Sequence, residues 1–377
     1  MDSTLTVLYD GWDLAYRPNS PAAIHLLTLL GNRPEQVQAI IALPDNPYFP
    51  LPDGVRAHLH ATSESDPGLL RWEQFSLPGL TRKLGAALLH LAAPRPALFR
   101  GVPTIVSPTG FRAQDGRVSR GEYASSILAR LREAMAEGGM ARARGLLWPD
   151  DLPAPDSPLL LRRLPPAVHQ AFASDRKDPG LLKRLALPES YLLYHGPHHP
   201  AALRWMAEAW SWAAQSIGDY HPLLLLGIDP TLQAQLHLLV DEFRSEFHLG
   251  DTLRALPVLS IDEMAALYQG CSALFHPAEI SPWGGPVRLA LTCGKPIVAL
   301  ETALADALVG PAAYLVSGDL AAAETRRNLG AALITVVVEE RVAESLSKAA
   351  RQRASAWVNA HFNRGLLAGY RSLLALQ

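Results

Sequence analysis

Short apolar runs alternate with amphipathic stretches along the chain, and this alternation predicts an α/β protein with parallel sheets. In the first half, Thr4–Tyr9 (TLTVLY), Val37–Leu43 (VQAIIAL), Arg56–His60 and Thr104–Ser107 (TIVS) read as strands, with Gly145–Trp148 as the last strand of this half. Pro21–Leu30 reads as a helix entered through Asn19-Ser20-Pro21, a capping residue followed by a first-turn proline. Leu80–Leu91 reads as a helix running into a strand, and Glu122–Glu137 as a helix closed by Gly138-Gly139.

The rhythm breaks over residues 149–190, where a Pro- and Asp-rich stretch, Pro165-Pro166 and the polar run Ser174–Gly180 have linker composition. It resumes more clearly afterwards. Tyr191–His195, Leu223–Leu226, Ala255–Leu259, Ala273–His276, Pro296–Leu300 and Ala313–Val316 read as strands. Ala202–Gln215, Leu232–Glu246, Ile261–Gln269 and Val287–Leu291 read as helices. Ser260 followed by Glu263 is a capping-box pattern. Strands and helices in this order describe a doubly wound sheet. Two such domains in tandem take a ligand in the cleft between their sheet edges.

Composition narrows the function classes. With 49% hydrophobic and 19% charged residues, the chain of 377 residues holds enough apolar material for two cores. A net charge of −2 gives no footprint for nucleic acid. Two cysteines, Cys271 and Cys293, do not make a disulfide framework, so a reducing cytoplasm is expected. Met1-Asp2-Ser3-Thr4 begins no signal-peptide pattern, and no apolar run is long enough to span a membrane. Peripheral membrane contact stays open, although the best candidate, Leu80–Leu91, carries only Arg82 and Lys83.

Several segments carry a family resemblance. "LPESYLLYHGPHHP", "DEMAALYQGCSALFHPAE" and "WGGPVRLALTCGKPIVALETALADALVGPAAYLVSGD" together resemble the C-terminal domain of the family 4 (group 1) retaining glycosyltransferases. "LPPAVHQAF" at 164–172 and "WEQFSLPGL…GAALLHLAAPRPALF" at 72–99 are similar to the segment entering that domain and to the middle of the N-terminal domain. The resemblance implies a GT-B fold: two Rossmann-like doubly wound parallel-sheet domains facing each other across a cleft. Residues 1–165 would form the acceptor-side domain, 166–187 the linker and 188–353 the nucleotide-sugar domain. A C-terminal helix within 354–377 would pack back on the first. It also implies a nucleotide-sugar substrate, a glycan, lipid or protein acceptor, and no cofactor or metal.

Retaining sugar transfer stabilises a leaving nucleoside diphosphate and an oxocarbenium-like carbon, which calls for cations and oriented donors at the phosphates. Measured against the family pattern, the expected Arg falls at Pro197, the Lys near Ala201-Ala202, and the two glutamates at Ser281 and Leu289. The donor-binding set expected here is Gly196, His198, His199, Arg204, Ser281, Gly284, Gly285, Val287 and Arg288, with His90 and Glu279 as catalytic candidates. Each has a plainer reading. His90 is a strand-end histidine as readily as a cleft residue, and Glu279 a solvated loop glutamate. Gly284 and Gly285 serve a tight turn with or without ligand. His195, His198 and His199 invite a metal, yet no cysteine or carboxylate stands near them in sequence. Trp283 reads as loop packing and Cys293 as a small core residue. Two functions follow: a glycosyltransferase with a divergent donor site, or an inactive GT-B protein serving as partner, chaperone or acceptor-recognition subunit of an active glycosyltransferase.

Overall fold

The computed structural model describes residues 4–98, 101–109, 127–173 and 179–375. Residues 1–3, the start of the helix expected from Glu122, and 174–178 of the polar linker run lie outside the described residues. The chain divides into two compact units. The first comprises residues 1–169, 281–284 and 357–377, and the second 170–280 and 285–356.

The first unit is built on seven strands: β1 (Leu5–Asp10), β2 (Val37–Leu43), β3 (Arg56–Leu59), β4 (Leu88–Leu91), β5 (Thr104–Val106), β6 (Gly145–Pro149) and β7 (Leu161–Leu164). Their order is β3-β2-β1-β4-β5-β6-β7, and every pairing is parallel. β1 and β2 are continuous apolar runs because helices cover both faces; Val7, Leu8, Tyr9 and Ala39 to Leu43 are all buried. The Pro21–Gly31 helix starts as its sequence predicts, Ser20 Oγ accepting from the Ala23 N–H at 3.2 Å.

Two features of this unit depart from the sequence reading. A π-helical turn, Trp72–Ser76, joins the Asp66–Arg71 and Leu77–Lys83 helices and buries Trp72 fully. β6 is not the last strand, because β7 pairs beyond it with Leu146 opposite Leu161. β7 reads LRRL beside prolines, an edge-strand composition hidden by its charges. Its Arg162 donates to Ser372 Oγ at 2.7 Å. That serine lies on the C-terminal helix, Asn359–Leu374, which buries Phe362, Leu366, Tyr370 and Leu373 on one helical stripe.

The second unit has six parallel strands: β8 (Leu192–Tyr194), β9 (Leu223–Leu225), β10 (Leu253–Ala255), β11 (Ala273–His276), β12 (Ile297–Leu300) and β13 (Ala313–Val316), in the order β10-β9-β8-β11-β12-β13. β10 lies upstream of the expected Ala255–Leu259. Leu256 N–H still donates to Leu225, but Pro257 has no N–H and Val258 N–H turns to Asp229 Oδ2 at 3.0 Å, so pairing ends there. Ser260 and Glu263 form the predicted reciprocal capping box. Two helices absent from the sequence reading, Ala323–Val338 and Glu340–Ala354, complete this unit. Leu329, Leu333 and Val336 pack with Leu203, Met206 and Trp210 of the Pro200–Ile217 helix. A Cβ on Gly330 would meet Ala209 O at 2.7 Å, so these helices approach closely only because that residue is glycine. Burial of each large side chain here contributes about 2–3 kcal/mol. Among the described residues, no helix is long and apolar enough to cross a membrane.

Candidate functional site

Each sheet reverses its strand order once, and α/β sheets take ligands outside the carboxyl ends of the strands at that switch. In the first sheet the switch lies between β1 and β4, and in the second between β8 and β11. Both switches carry histidine.

In the first unit, His90 of β4 stands opposite Tyr9 of β1. Its Nδ1 lies 2.5 Å from Tyr370 Oη and its Nε2 2.7 Å from Ser107 Oγ. Ser107 Oγ also lies 2.8 Å from His25 Nε2, and Tyr370 Oη 3.1 Å from Tyr9 Oη. The five groups form one buried chain, Tyr9–Tyr370–His90–Ser107–His25. A hydroxyl gives one proton, so Ser107 donates to one imidazole and accepts from the other, and the whole chain has two self-consistent proton orders. Burial drops the His90 pKa to about 3, which keeps the ring neutral. His25 stacks on Trp283 with centroids 5.2 Å apart, and Trp283 Nε1–H donates to Leu147 O at 2.9 Å. Trp283 therefore packs its loop. Gly284, at φ +59°, leaves room where a Cβ would meet His25 and Pro21 at 2.5 and 2.6 Å.

A carboxylate that sequence reading passed over ends β1. Asp10 Oδ1 accepts from Trp72 Nε1–H at 2.9 Å and from Trp12 N–H at 3.1 Å. Burial raises its pKa to about 6 despite those bonds. Glu73, on the π-helical turn, is 3% exposed and pairs with Arg95 at 3.2 Å. A carboxyl group poised near neutrality at a strand end is a candidate general base.

In the second unit, β8 is followed by His195, Gly196, Pro197, His198 and His199. His195 Nδ1 lies 2.8 Å from Tyr268 Oη. Gly196 takes φ +79°, a conformation suited to glycine, and the bond to Pro197 is cis. His199 caps the Pro200–Ile217 helix, its Nδ1 accepting from the Ala202 N–H at 2.9 Å. A ring that accepts there is deprotonated at Nδ1, and burial lowers its pKa to about 4. At the end of β11, His276 is 3% exposed and its Nε2 lies 3.2 Å from the Glu279 carbonyl oxygen. Burial lowers the His198 pKa to about 3 and that of His276 to about 4. His198 Nε2 is buried and has no hydrogen-bond partner, while the His276 ring also hydrogen-bonds to the Gly196 backbone.

The predicted residues thus separate. Gly196, His198, His199 and Glu279 gather at the second sheet's carboxyl edge. Gly285 caps the Pro286–Thr292 helix, in which the side chains of Val287, Arg288 and Leu289 are buried. Arg204 is engaged on its helix, with Glu246 through both terminal nitrogens and with Glu208 at 3.3 Å, and lies over Phe243 and Phe247. Ser281 and Gly284 group with the first unit, as do His90 and Trp283. Among the described residues no group of three His, Cys, Asp or Glu is arranged to hold a metal. Both cysteines are free; burial pushes the Cys271 thiol up to about 12 and raises Cys293 as well, so neither is an activated nucleophile. His276 and Asp10 were legible as polar residues ending apolar strands; His25 and Tyr370 carried no such signal.

No family model matches the sequence, and no curated protein matches it. Solved structures do. Sucrose-phosphate synthase from Thermosynechococcus elongatus is 17% identical with a TM-score of 0.68, over 99% of this chain and 100% of that one. WaaG, a glycosyltransferase involved in lipopolysaccharide biosynthesis, is 12% identical with a TM-score of 0.69, over 96% and 98%. Anabaena HepE, in complex with UDP and glucose, is 13% identical with a TM-score of 0.68, over 98% and 100%. The chain has the GT-B fold. The likeness runs through both units of the GT-B chain, including the first, where the sequence resemblance was thinner. At these identities it fixes architecture, and chemistry must be argued from the residues.

Proposed function

We propose that this GT-B protein is a glycosyltransferase that takes a sugar from a nucleotide-sugar and transfers it, with retention, to a glycan, lipid or protein acceptor. The observation that carries the reading is the polar furnishing of the second sheet's switch point, where Gly196, His198, His199 and His276 stand in place of apolar strand ends. The full-length likeness to glycosyltransferases supports it. Asp10, with its raised pKa, supplies a base for an acceptor hydroxyl on the first unit. The reading takes transfer to need no metal, as the family resemblance implies.

A second reading, a partner or acceptor-recognition subunit without turnover, is favoured by one specific arrangement. Pro197 and the buried Leu289 stand at positions expected to be charged, and the nearest candidate cation, Arg204, is already paired with two glutamates. Losing one stabilising donor costs about 3 kcal/mol of transition-state stabilisation, so several unreplaced losses would abolish turnover. Titration with UDP-, GDP- and ADP-sugars, followed by assay of nucleotide release, decides between them. Binding with release supports the enzyme and contradicts the partner reading, binding without release supports the partner, and no binding to any of them contradicts the enzyme reading.

A further inference from the structure

Asp10 is held by one of its two oxygens. Oδ1 accepts from Trp72 Nε1–H at 2.9 Å and from Trp12 N–H at 3.1 Å, which fills its lone pairs. Oδ2 accepts from no group among the described residues and is open to solvent on a partly buried side chain at the end of β1. A proton that Asp10 gains therefore sits on Oδ2, because Oδ1 faces two N–H donors. Trp72 cannot take that proton, since an indole nitrogen only donates.

Trp72 reaches Asp10 through the π-helical turn Trp72–Ser76, set between two α-helical segments. Such turns are rare and recur at functional sites. This one turns three consecutive residues inward: Trp72 to Asp10, Glu73 to Arg95, and Gln74, whose Oε1 accepts from the Leu98 N–H at 2.8 Å. The indole packs against Trp12, with ring centroids 5.7 Å apart, and borders His60 at 6.1 Å. The other charges that face Asp10 are Asp13, on the Trp12–Tyr16 helix, and Arg95 after β4, which Glu73 shares.

We propose that Trp72 is a positioning residue: its indole N–H, with the Trp12 backbone N–H, pins Asp10 by Oδ1 and presents Oδ2 as the oxygen that takes the acceptor proton. That role rests on the glycosyltransferase reading and deepens it. The acceptor O–H bond breaks with its proton passing to Oδ2. The acceptor oxygen bonds the anomeric carbon, and the sugar–phosphate bond breaks with its electron pair on the departing nucleotide.

NMR titration of the full chain tests the contact without any ligand. The Trp72 Nε1–H resonance should titrate with the midpoint of Asp10, about 6, and lie flat in Asp10→Asn. Trp72→Phe keeps an aromatic ring and removes a donor to the carboxylate, so the midpoint of the Asp10 carboxyl carbon should rise by about one pH unit. Nucleotide release from the nucleotide-sugar that binds, with water as acceptor, should follow. The variant's rate should fall about fivefold at pH 6 and match the parent at pH 8, with nucleotide-sugar affinity within about twofold. A Trp72 resonance that does not titrate in the parent overturns the inference even if Trp72→Phe fails to fold. So does a variant that releases nucleotide with the parent's pH profile, and both outcomes leave the glycosyltransferase reading standing. A parent that releases no nucleotide overturns the reading and, with it, the proton transfer to Oδ2.

Discussion

The two switch points place the same kind of side chain at the same position of two like sheets, and leave it in opposite states. In the first unit His90 uses both ring nitrogens, on Tyr370 and Ser107, and the C-terminal helix supplies the tyrosine that completes the chain. In the second, His198 keeps a buried Nε2 without a partner. A satisfied buried network rigidifies a fold, whereas a buried polar atom without a partner costs stability. The contrast shows His90 held within a bonded network, where sequence reading put it among the catalytic candidates on equal terms with a structural role.

The largest effect expected from this contrast lies in the first unit. His90→Ala removes a fully buried ring and strands both Tyr370 and Ser107, at a cost of about 3–5 kcal/mol in urea denaturation. A loss under about 1 kcal/mol would break the comparison.

Acid titration comes next. His90, His198, His199 and His276 have folded pKa values lowered to between about 3 and 4 by burial, so below pH 6.5 the unfolded chain takes up protons first. Stability present above pH 6.5 is lost as pH falls toward 4, by up to about 1.4 kcal/mol per pH unit for each ring. Denaturant midpoints measured from pH 7 to pH 4.5 should fall steeply. A flat profile would mean that these rings are solvated.

Asp10 has the opposite sign. Its folded pKa, about 6, lies above the ordinary 3.8, so it destabilises the fold at neutral pH and the penalty disappears as pH falls through 6 toward 3.8. Asp10→Asn keeps an oxygen for Trp72 and Trp12 and removes the buried charge, so it should raise stability by about 2 kcal/mol at pH 7 and by little at pH 4. If Asp10 is also the acceptor base, this more stable variant loses turnover.

The smallest effect is the most diagnostic. His198→Leu discards a buried nitrogen without a partner and should leave unfolding within about 1 kcal/mol of the parent, or stabilise it. A loss approaching that of His90→Ala would show that His198 is a structural residue.

The fold was legible wherever apolar runs and caps were local. β1, β2, β8, β11, the Ser20 cap and the Ser260–Glu263 box all follow from neighbouring residues. Features set by tertiary partners were not. β7 owes its place to pairing with β6 and to Arg162 reaching Ser372, and the π-helical turn to burying Trp72. The site was half legible. Gly196, His198 and His199 stand in one run, but His276 joins them only because β11 lies beside β8. Whether Arg204 was free or already paired depended on Glu246, 42 residues away.

Long-range proton–nitrogen correlation NMR of the histidine rings tests the central claim most directly, because it reports the protonation and hydrogen bonding of each ring nitrogen. In the free protein the account predicts an unprotonated His198 Nε2, a His276 protonated at Nε2 toward the Glu279 carbonyl, and a fully bonded His90. Addition of the nucleotide-sugar or nucleoside that binds should move the first two resonances and leave His90 unchanged. A saturating ligand that shifts His90 while His198 and His276 stay still would contradict it.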